Sequence, residues 1–469
     1  MKVKKENIKE IFKYIIIFFS IIILGVSLLV VTAKIPKESI EKNIEESTPY
    51  LSKNSEINYI KRKHPFMWLH IYADEMLLNI TYNIDTNKPL ESVLEAKYFD
   101  NGLASLKKQM EDKSQVANTE YIRYWHGSMI FIRPLLTIFN IHQIYIVNAI
   151  IIAMLTIALL VILFKKKQTL LAILFIIAFI MTGSIFVPFC LEYTWVYMIM
   201  LFTSIIAVLI EKNKNSNKNL KVLFFITGIL TCFFDFLSAE LITILVPLTL
   251  VLGIRYKEKR AENLKENLKF LIYSIILWGV GYFGMWIAKW VLASIVLNVN
   301  ALDFVVDKAL VRVNGVYEFE DIGEIYLEAI PKNIFALFPF NLIQDKLLLV
   351  YFFAIAVIAF IVLKRNKKEL KNIIPFLLIA FIPYVRYLVL ANHSYRHYFF
   401  TFREQLPTIM CIILIFVYGI DKNKLKKQIK LNKKDRKKDE RINNINTSTR
   451  WRKNNRNCNK KSKKMAGEK

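Results

Sequence analysis

Long uninterrupted runs of apolar side chains most narrow what this chain can fold into. Residues 14–33 carry no charged side chain, and further apolar blocks fall near residues 144–164, 169–187, 194–210, 222–237, 241–254, 270–297, 347–363, 373–390 and 406–420. A backbone immersed in hydrocarbon must satisfy its own N–H and C=O groups, so runs of roughly 20 apolar residues predict membrane-spanning α-helices. The blocks lack the amphipathic period of helices that keep one face in water. The expected fold is therefore all-α and polytopic, with about ten transmembrane helices.

A net charge of +27 would suggest a nucleic-acid partner in a soluble protein. Here Lys and Arg gather between the apolar blocks instead, at residues 165–167, 212–221, 255–269 and 364–371 and in the tail. They occupy every second connection, which the positive-inside rule assigns to the cytoplasm together with both termini. The intervening connections, 34–143, 188–193, 235–240, 298–346 and 391–405, then face outward. All six histidines fall in these outward segments. The first run follows Lys2, Lys4, Lys5, Lys9 and Lys13 and exceeds the roughly 7 to 15 residues of a signal h-region, so it reads as an uncleaved signal anchor.

This divides the chain into a cytoplasmic N-terminus and anchor (1–33), an outer loop with interfacial helices (34–143), a transmembrane bundle with an outer segment at 298–346 (144–420), and a basic cytoplasmic tail (421–469). The tail holds 20 Lys/Arg against 5 Asp/Glu, and is expected to be disordered and to lie near anionic lipid, with no specific nucleic-acid partner. Within the outer loop, residues 90–110 are compatible with a helix. Residues 127–139, apolar around Arg133 and Pro134, are too short to span and suit a helix lying in the interface. Residues 334–340 predict another surface helix. Cys190, Cys232, Cys411 and Cys458 lack the spacing of a metal or disulfide framework.

Candidate chemistry follows from ionisable residues at unusual depth. Blocks 222–254 offer about 33 residues for two crossings that need roughly 20 each. Their connecting turn must therefore line a depression, with Asp235 and Glu240 near its floor. Lys289 and Arg386 lie in the outer parts of their blocks, at the same level, and suit an anionic ligand. Residues 392–403 crowd His393, Arg396, His397 and Arg403 among five aromatics. If helical, that stretch places the four broadly along one side. In the outer loop, residues 64–75 and 123–127 mix aromatics with His and carboxylate, a composition suited to carbohydrate or lipid headgroups. Asp74 and Glu75 could supply a general base, with or without a divalent cation. Ligand spacing does not support a transition-metal site at His64, His70 and His126.

An anchor helix, a long outer loop with an acidic pair at Asp74-Glu75, interfacial helices ending at Phe139 and a bundle with an outer cavity resemble the GT-C class of glycosyltransferases. That resemblance implies transfer of a sugar from a polyprenyl-phosphate-linked donor to a glycan or lipid acceptor, on the outer face of a bacterial-type cell membrane, in cell-envelope glycan synthesis or modification. It implies Asp74, with Glu75, as the base. Lys289, Arg386, Arg396 and Arg403 would hold the phosphate, His126, His393 or His397 would orient a substrate, and Trp125 would stack on a sugar face. Arg123 to Gly127 with Arg133-Pro134, Phe234 to Leu237, Lys289-Trp290 and Asn392 to Arg403 also resemble a group of uncharacterised bacterial polytopic proteins, which brings no reaction with it. A polysaccharide polymerase or ligase, and a transporter of a lipid-linked or anionic substrate, are alternatives that the same residues leave open.

Overall fold

The computed structural model describes residues 2–61, 71–99, 106–107, 110–112, 115–212, 215–258, 263–314, 321–337, 357 and 373–419. The chain forms two compact units, residues 1–351 with 372–415 and residues 352–371 with 416–469. Residues 357 and 416–419 are the described part of the second unit, and the helical bundle with its cavities belongs to the first.

Among the described residues the regular structure is helical, apart from one isolated antiparallel bridge between Tyr98 and Thr119. Six of the described helices are long and apolar enough to cross a membrane: Ile8–Ala33, Ile141–Lys165, Leu191–Ile210, Ser216–Phe234, Leu264–Leu297 and Tyr398–Gly419. Two other apolar helices, Thr169–Met181 and Ile374–Val389, are shorter. The expected block at 347–363 lies outside the described residues except for residue 357.

The sequence suggested an unbroken block at 169–187, but the helix stops at Met181. Gly183 takes a left-handed φ of 61° there, and a 3-10 turn at Ser184–Phe189 contains Pro188. The left-handed residue satisfies the last carbonyls and ends the helix.

Exposure separates two kinds of apolar helix. Leu264–Leu297 presents Ile272, Ile276, Val280, Phe283, Ile287, Val291 and Ile295 in one exposed stripe, at the three- and four-residue spacing of a single helix face. Ile8–Ala33 likewise exposes Ile11, Ile15, Phe19, Ile23 and Leu28. Apolar stripes of that extent need hydrocarbon around them. Ile242–Lys257 is the opposite case, because every residue from Ile242 to Arg255 is buried, as befits a helix that is apolar all round.

Ser216–Phe234 and Leu264–Leu297 pack with their backbones in close approach. A Cβ at Gly228 would stand 2.0 Å from the Trp278 carbonyl oxygen, and one at Gly281 2.4 Å from that of Phe225. Small residues permit this backbone approach, and larger ones would force the helices apart.

One end of the bundle is tied by charge. Arg255 makes a two-pronged pair with Glu211 at 2.8 and 2.9 Å, Lys212 meets Glu258 at 2.8 Å, and Lys218 meets Glu10 at 2.8 Å.

At the other end sit the shorter helices that follow the first span: Glu38–Lys61, Ile71–Tyr82, Pro89–Glu95 and Met129–Leu136. The helix expected over 90–110 ends at Glu95, where Ala96 turns left-handed with φ 50°. The segment read as interfacial forms Met129–Leu136, and its Arg133 is fully buried. Arg133 donates to the carbonyl of Ile35 at 2.7 Å and to that of Thr81, pinning this helix to the end of the first span and to Ile71–Tyr82.

Candidate functional site

The stretch from Tyr121 to Gly127 is held from both sides. The Tyr121 N–H donates to the Glu95 carbonyl at 2.8 Å, and the Gly127 N–H to that of Phe233 at 3.0 Å. A side chain at Gly127 would collide with Phe233, whose carbonyl oxygen lies 2.5 Å from where a Cβ would stand. Leu264–Leu297 grips the stretch through the Trp125 indole N–H on the Met285 carbonyl (2.8 Å) and the Trp290 indole N–H on that of Arg123 (3.3 Å). Trp125 and Ile122 are thereby buried in the core. Tyr121, Arg123, Tyr124 and His126 instead line a cavity of about 320 Å³.

Other segments complete that cavity. Ile71–Tyr82 contributes Tyr72, Ala73, Met76, Leu77 and Ile80, and Glu192 enters from the first turn of Leu191–Ile210. Phe236, Arg312, His393, His397 and Phe400 close it. Arg312 lies on the Ala301–Asn314 helix, which the Asn392 amide reaches by donating to the Val311 carbonyl at 2.7 Å. The lining thus combines two guanidiniums, three imidazoles and a carboxylate with a belt of tyrosine and phenylalanine rings.

Hydrogen bonding fixes the state of two imidazoles. His126 Nε2 lies 3.3 Å from the Tyr121 carbonyl, which only accepts, so Nε2 carries the proton. Its Nδ1 is then an acceptor, and it is buried without a partner. Burial and the nearby Lys289 ammonium push the His126 pKa down to about 3, so the ring is neutral near pH 7. Its backbone is strained as well, at φ 53°, a region that non-glycine residues occupy at a cost.

His393 Nδ1 lies 3.4 Å from an Arg386 nitrogen. Arginine only donates, so Nδ1 accepts and the proton sits on Nε2. Burial, then the Arg312 and Arg386 charges, hold His393 well below the usual histidine range. His397 stacks on Phe400, with ring centroids 5.1 Å apart and planes 22° apart, and approaches the His393 ring at 4.8 Å.

The two guanidiniums lie against rings. Arg123 donates to the Tyr121 hydroxyl at 2.8 Å and sits 4.3 Å from that ring's centroid. Arg312 is 6.0 Å from the Tyr124 ring. Burial pushes the Tyr124 phenol up to about 12, so it remains a hydroxyl. With neutral His126 and His393, two arginines against Glu192 leave an excess of positive charge suited to an anion.

Several residues singled out from sequence lie away from this lining. The Asp74 carboxylate is fully buried. It accepts the Leu191 N–H at 2.9 and 3.0 Å and the Tyr145 hydroxyl, so it serves as a cap for the helix that carries Glu192. Glu75 is half-buried beside it and does not reach the cavity. Trp125 faces Met285. The fully buried Lys289 donates to the Leu94 carbonyl at 2.8 Å.

Asp235 folds back on its own turn, accepting from the Leu237 N–H (2.9 Å), the Ser238 N–H (3.1 Å) and the Ser238 hydroxyl (2.6 Å). Burial and the Glu240 carboxylate raise its pKa to about 7. The ring of Phe236, rather than the carboxylates expected from this turn, faces the cavity. Glu240 receives two hydrogen bonds from Arg386, at 3.0 and 3.3 Å, which occupies the charge of both. Arg386 also donates to the Ser394 hydroxyl at 3.0 Å and the Leu237 carbonyl at 3.2 Å. Arg396 is exposed. Arg403 is buried against the Tyr193 ring and donates to the Phe399 carbonyl at 3.1 Å. Neither arginine lines the cavity.

His64 and His70 lie outside the described residues. Among the described residues no group of three or more His, Cys, Asp or Glu could hold a metal ion.

Sequence reasoning missed Glu192 and Arg312 and did not single out Arg123. The available signal was a carboxylate at the mouth of an apolar block, since Glu192 directly precedes the 194–210 run but for Tyr193. Comparison with protein-family models, with curated proteins and with solved structures finds no match to this chain.

Proposed function

We propose that this chain is a membrane glycosyltransferase that moves a sugar from a lipid-linked phosphate donor to an acceptor hydroxyl within the histidine-arginine cavity. The observation that carries the reading is the convergence of Arg123, Arg312 and Glu192 among tyrosine and phenylalanine rings, at the head of helices apolar enough to cross a membrane. Aromatic faces suit sugar rings, and paired guanidiniums suit phosphate.

In this reading Glu192 is the general base. It takes the acceptor hydroxyl proton as the oxygen bonds to the anomeric carbon. The bond from that carbon to the phosphate oxygen breaks, and the lipid phosphate leaves with the electron pair. Arg123 and Arg312 stabilise the charge that develops on it. The neutral rings of His126 and His393 offer an acceptor and a donor respectively for substrate hydroxyls. Asp74 acts as a positioning residue by holding the helix end beside Glu192. The cavity lies at the end of the bundle opposite the Lys212, Lys218 and Arg255 pairs, which supports an outward-facing site under the positive-inside rule. Cell-envelope glycan synthesis is the corresponding setting.

The test is incubation of the purified full-length protein in lipid nanodiscs with labelled polyprenyl-phosphate sugars and glycan or lipid acceptors. The expected result is release of lipid phosphate with formation of a glycoside, slowed by roughly 10²- to 10⁴-fold in Glu192→Gln. Absence of turnover across a panel of donors, from protein shown to be folded, overturns the proposal.

A further inference from the structure

The exposed apolar stripe of Leu264–Leu297 ends close to where another helix begins. From Ile272 to Ile295 the stripe runs about 35 Å at 1.5 Å per residue, close to the roughly 30 Å of a bilayer's hydrocarbon core. The hydrocarbon boundary therefore falls near Ile295, and the chain beyond it enters the headgroup level. Asn298 turns there with φ 54°, Val299 remains exposed, and Ala301–Asn314 follows. That helix has 14 residues, too few to cross a membrane.

Its surface divides three ways. Ala301 and Val305 are buried, Ala301 in a cluster with Ile122 and Ala293, and Arg312 on the same side lines the polar cavity. Leu302, Val306 and Leu310 are 44 to 55% exposed. At four-residue spacing they form one stripe, centred about 120° round the helix from the buried side. Exposed Asp303 flanks that stripe on its other edge and accepts from the Asn300 amide at 2.6 Å. A protein-facing, an apolar and a polar strip on one short helix suit a position in a membrane interface.

The protein alone grips this helix weakly. Among its described side chains only Ala301 and Val305 are buried, and both are small. The Ala301 N–H donates to the Ser294 hydroxyl at 3.1 Å, and the Asn392 amide to the Val311 carbonyl at 2.7 Å. A helix of this length is marginal on its own, so burial of further apolar surface has to hold it. The stripe continues the lipid-facing Val291 and Ile295 through Val299, which makes acyl chains its partner.

We propose that Ala301–Asn314 is seated in the membrane interface at the cavity end of the bundle, with Leu302, Val306 and Leu310 among the lipid acyl chains, and that this seating keeps Arg312 in the cavity wall. The bilayer is thereby part of the site, because a helix released from lipid carries Arg312 away. Depth and docking define this proposal, so it stands or falls independently of sugar transfer.

The experiment uses the full-length protein in phosphatidylcholine nanodiscs. Cys190, Cys232 and Cys411 are buried, and Cys458 is replaced by serine. Nitroxide labels are placed singly on Leu302→Cys, Val306→Cys, Leu310→Cys, Asp303→Cys and, as the lipid-facing reference, Ile287→Cys. In power-saturation spectroscopy the three stripe labels should meet dissolved oxygen more than a water-soluble nickel chelate, as the reference does, and the label at 303 should show the reverse. Nickel contact along the stripe equal to that at 303, or shielding from both reagents as a second copy of the chain would give, overturns the seating. Hydrogen exchange then reads the docking. Serine and valine have similar helix propensity, so Val306→Ser removes mainly the contact with hydrocarbon. It should raise exchange in Ala301–Asn314 about fivefold, the worth of one half-immersed valine, with Ile242–Lys257 unchanged, whereas Val306→Leu should match the parent. Unchanged exchange in Val306→Ser overturns the dependence of Arg312 on lipid.

Discussion

The Asp74 carboxylate accepts the backbone N–H of Leu191, immediately before Glu192, through both of its oxygens at 2.9 and 3.0 Å. An acid placed at a helix N-terminus satisfies an otherwise bare donor and opposes the positive end of the helix dipole. Asp74 thus lies behind the helix end, while Glu192 lines the cavity; in the proposed reading the first acid supports the second.

The two acids should separate by assay. Asp74→Ala leaves the Leu191 N–H and the Tyr145 hydroxyl without their acceptor, at about 1–3 kcal/mol for each bare donor. Thermal unfolding in detergent should register the loss. Glu192→Gln should leave the melting temperature nearly unchanged while lowering transfer by roughly 10²- to 10⁴-fold, the usual worth of a general base. A Glu192→Gln protein that turns over at the parental rate removes Glu192 from the reaction.

Arg312 and Arg123 are expected to govern anion affinity. Truncating either to alanine should weaken binding of a lipid phosphate by about 1.5–3 kcal/mol, the worth of a charged hydrogen bond. Lysine should restore only part of this, because it lacks the planar fork. Isothermal titration with a short-chain prenyl phosphate reads the change directly, and identical affinity in Arg312→Ala would refute the assignment.

His126 predicts a pH dependence of stability. Its pKa is held near 3 in the folded protein against about 6.5 unfolded. Between those values the unfolded chain binds a proton that the folded one refuses. Its contribution is therefore fully present above pH 6.5 and is lost as pH falls toward 3. Unfolding midpoints should drop on acidification through this window, and less so in His126→Asn, since asparagine tolerates a left-handed backbone. Asp235 acts in the opposite sense. Its carboxyl, raised to about 7, costs stability as pH climbs from the usual carboxylate range toward 7, so Asp235→Asn should flatten the neutral side of the profile.

Parts of this architecture were legible because lipid imposes simple rules. Blocks without charge had to become helices, and Ile8–Ala33, Ile141–Lys165 and Leu264–Leu297 cover the predicted 14–33, 144–164 and 270–297. Where a block stopped early, the cause was local, as at Gly183 and Ala96 with their positive φ. His126, His393 and His397 were noticed for the aromatics and cations around them, and the fold brings all three to one cavity. Partnership could not be read. Asp74 and Leu191 are 117 residues apart, and Arg386 and Glu240 are 146 apart, so whether each charge is occupied depends on tertiary placement. Arg312 escaped notice for the same reason, since it reaches the cavity through the docking of Ala301–Asn314 on Ala391–Arg396 and on Leu264–Leu297.

Glu240 and Arg386 form a buried ion pair. Both side chains are 6% exposed, and two bonds join them. Removing one partner strands a buried charge, so Glu240→Gln or Arg386→Met should each cost about 3–5 kcal/mol. Replacing both with apolar residues of similar size should cost far less, because desolvation of the pair offsets much of its attraction. If the pair is only structural, a folded double variant should behave as the parent. The Arg386 contact to His393 Nδ1 makes a further demand, because without that donor the ring can move its proton to Nδ1 and lose the Nε2 donor. The folded double variant should then bind acceptor more weakly, with its anion affinity intact. Measuring acceptor and phosphate binding separately on that variant tests whether the pair sets the His393 tautomer.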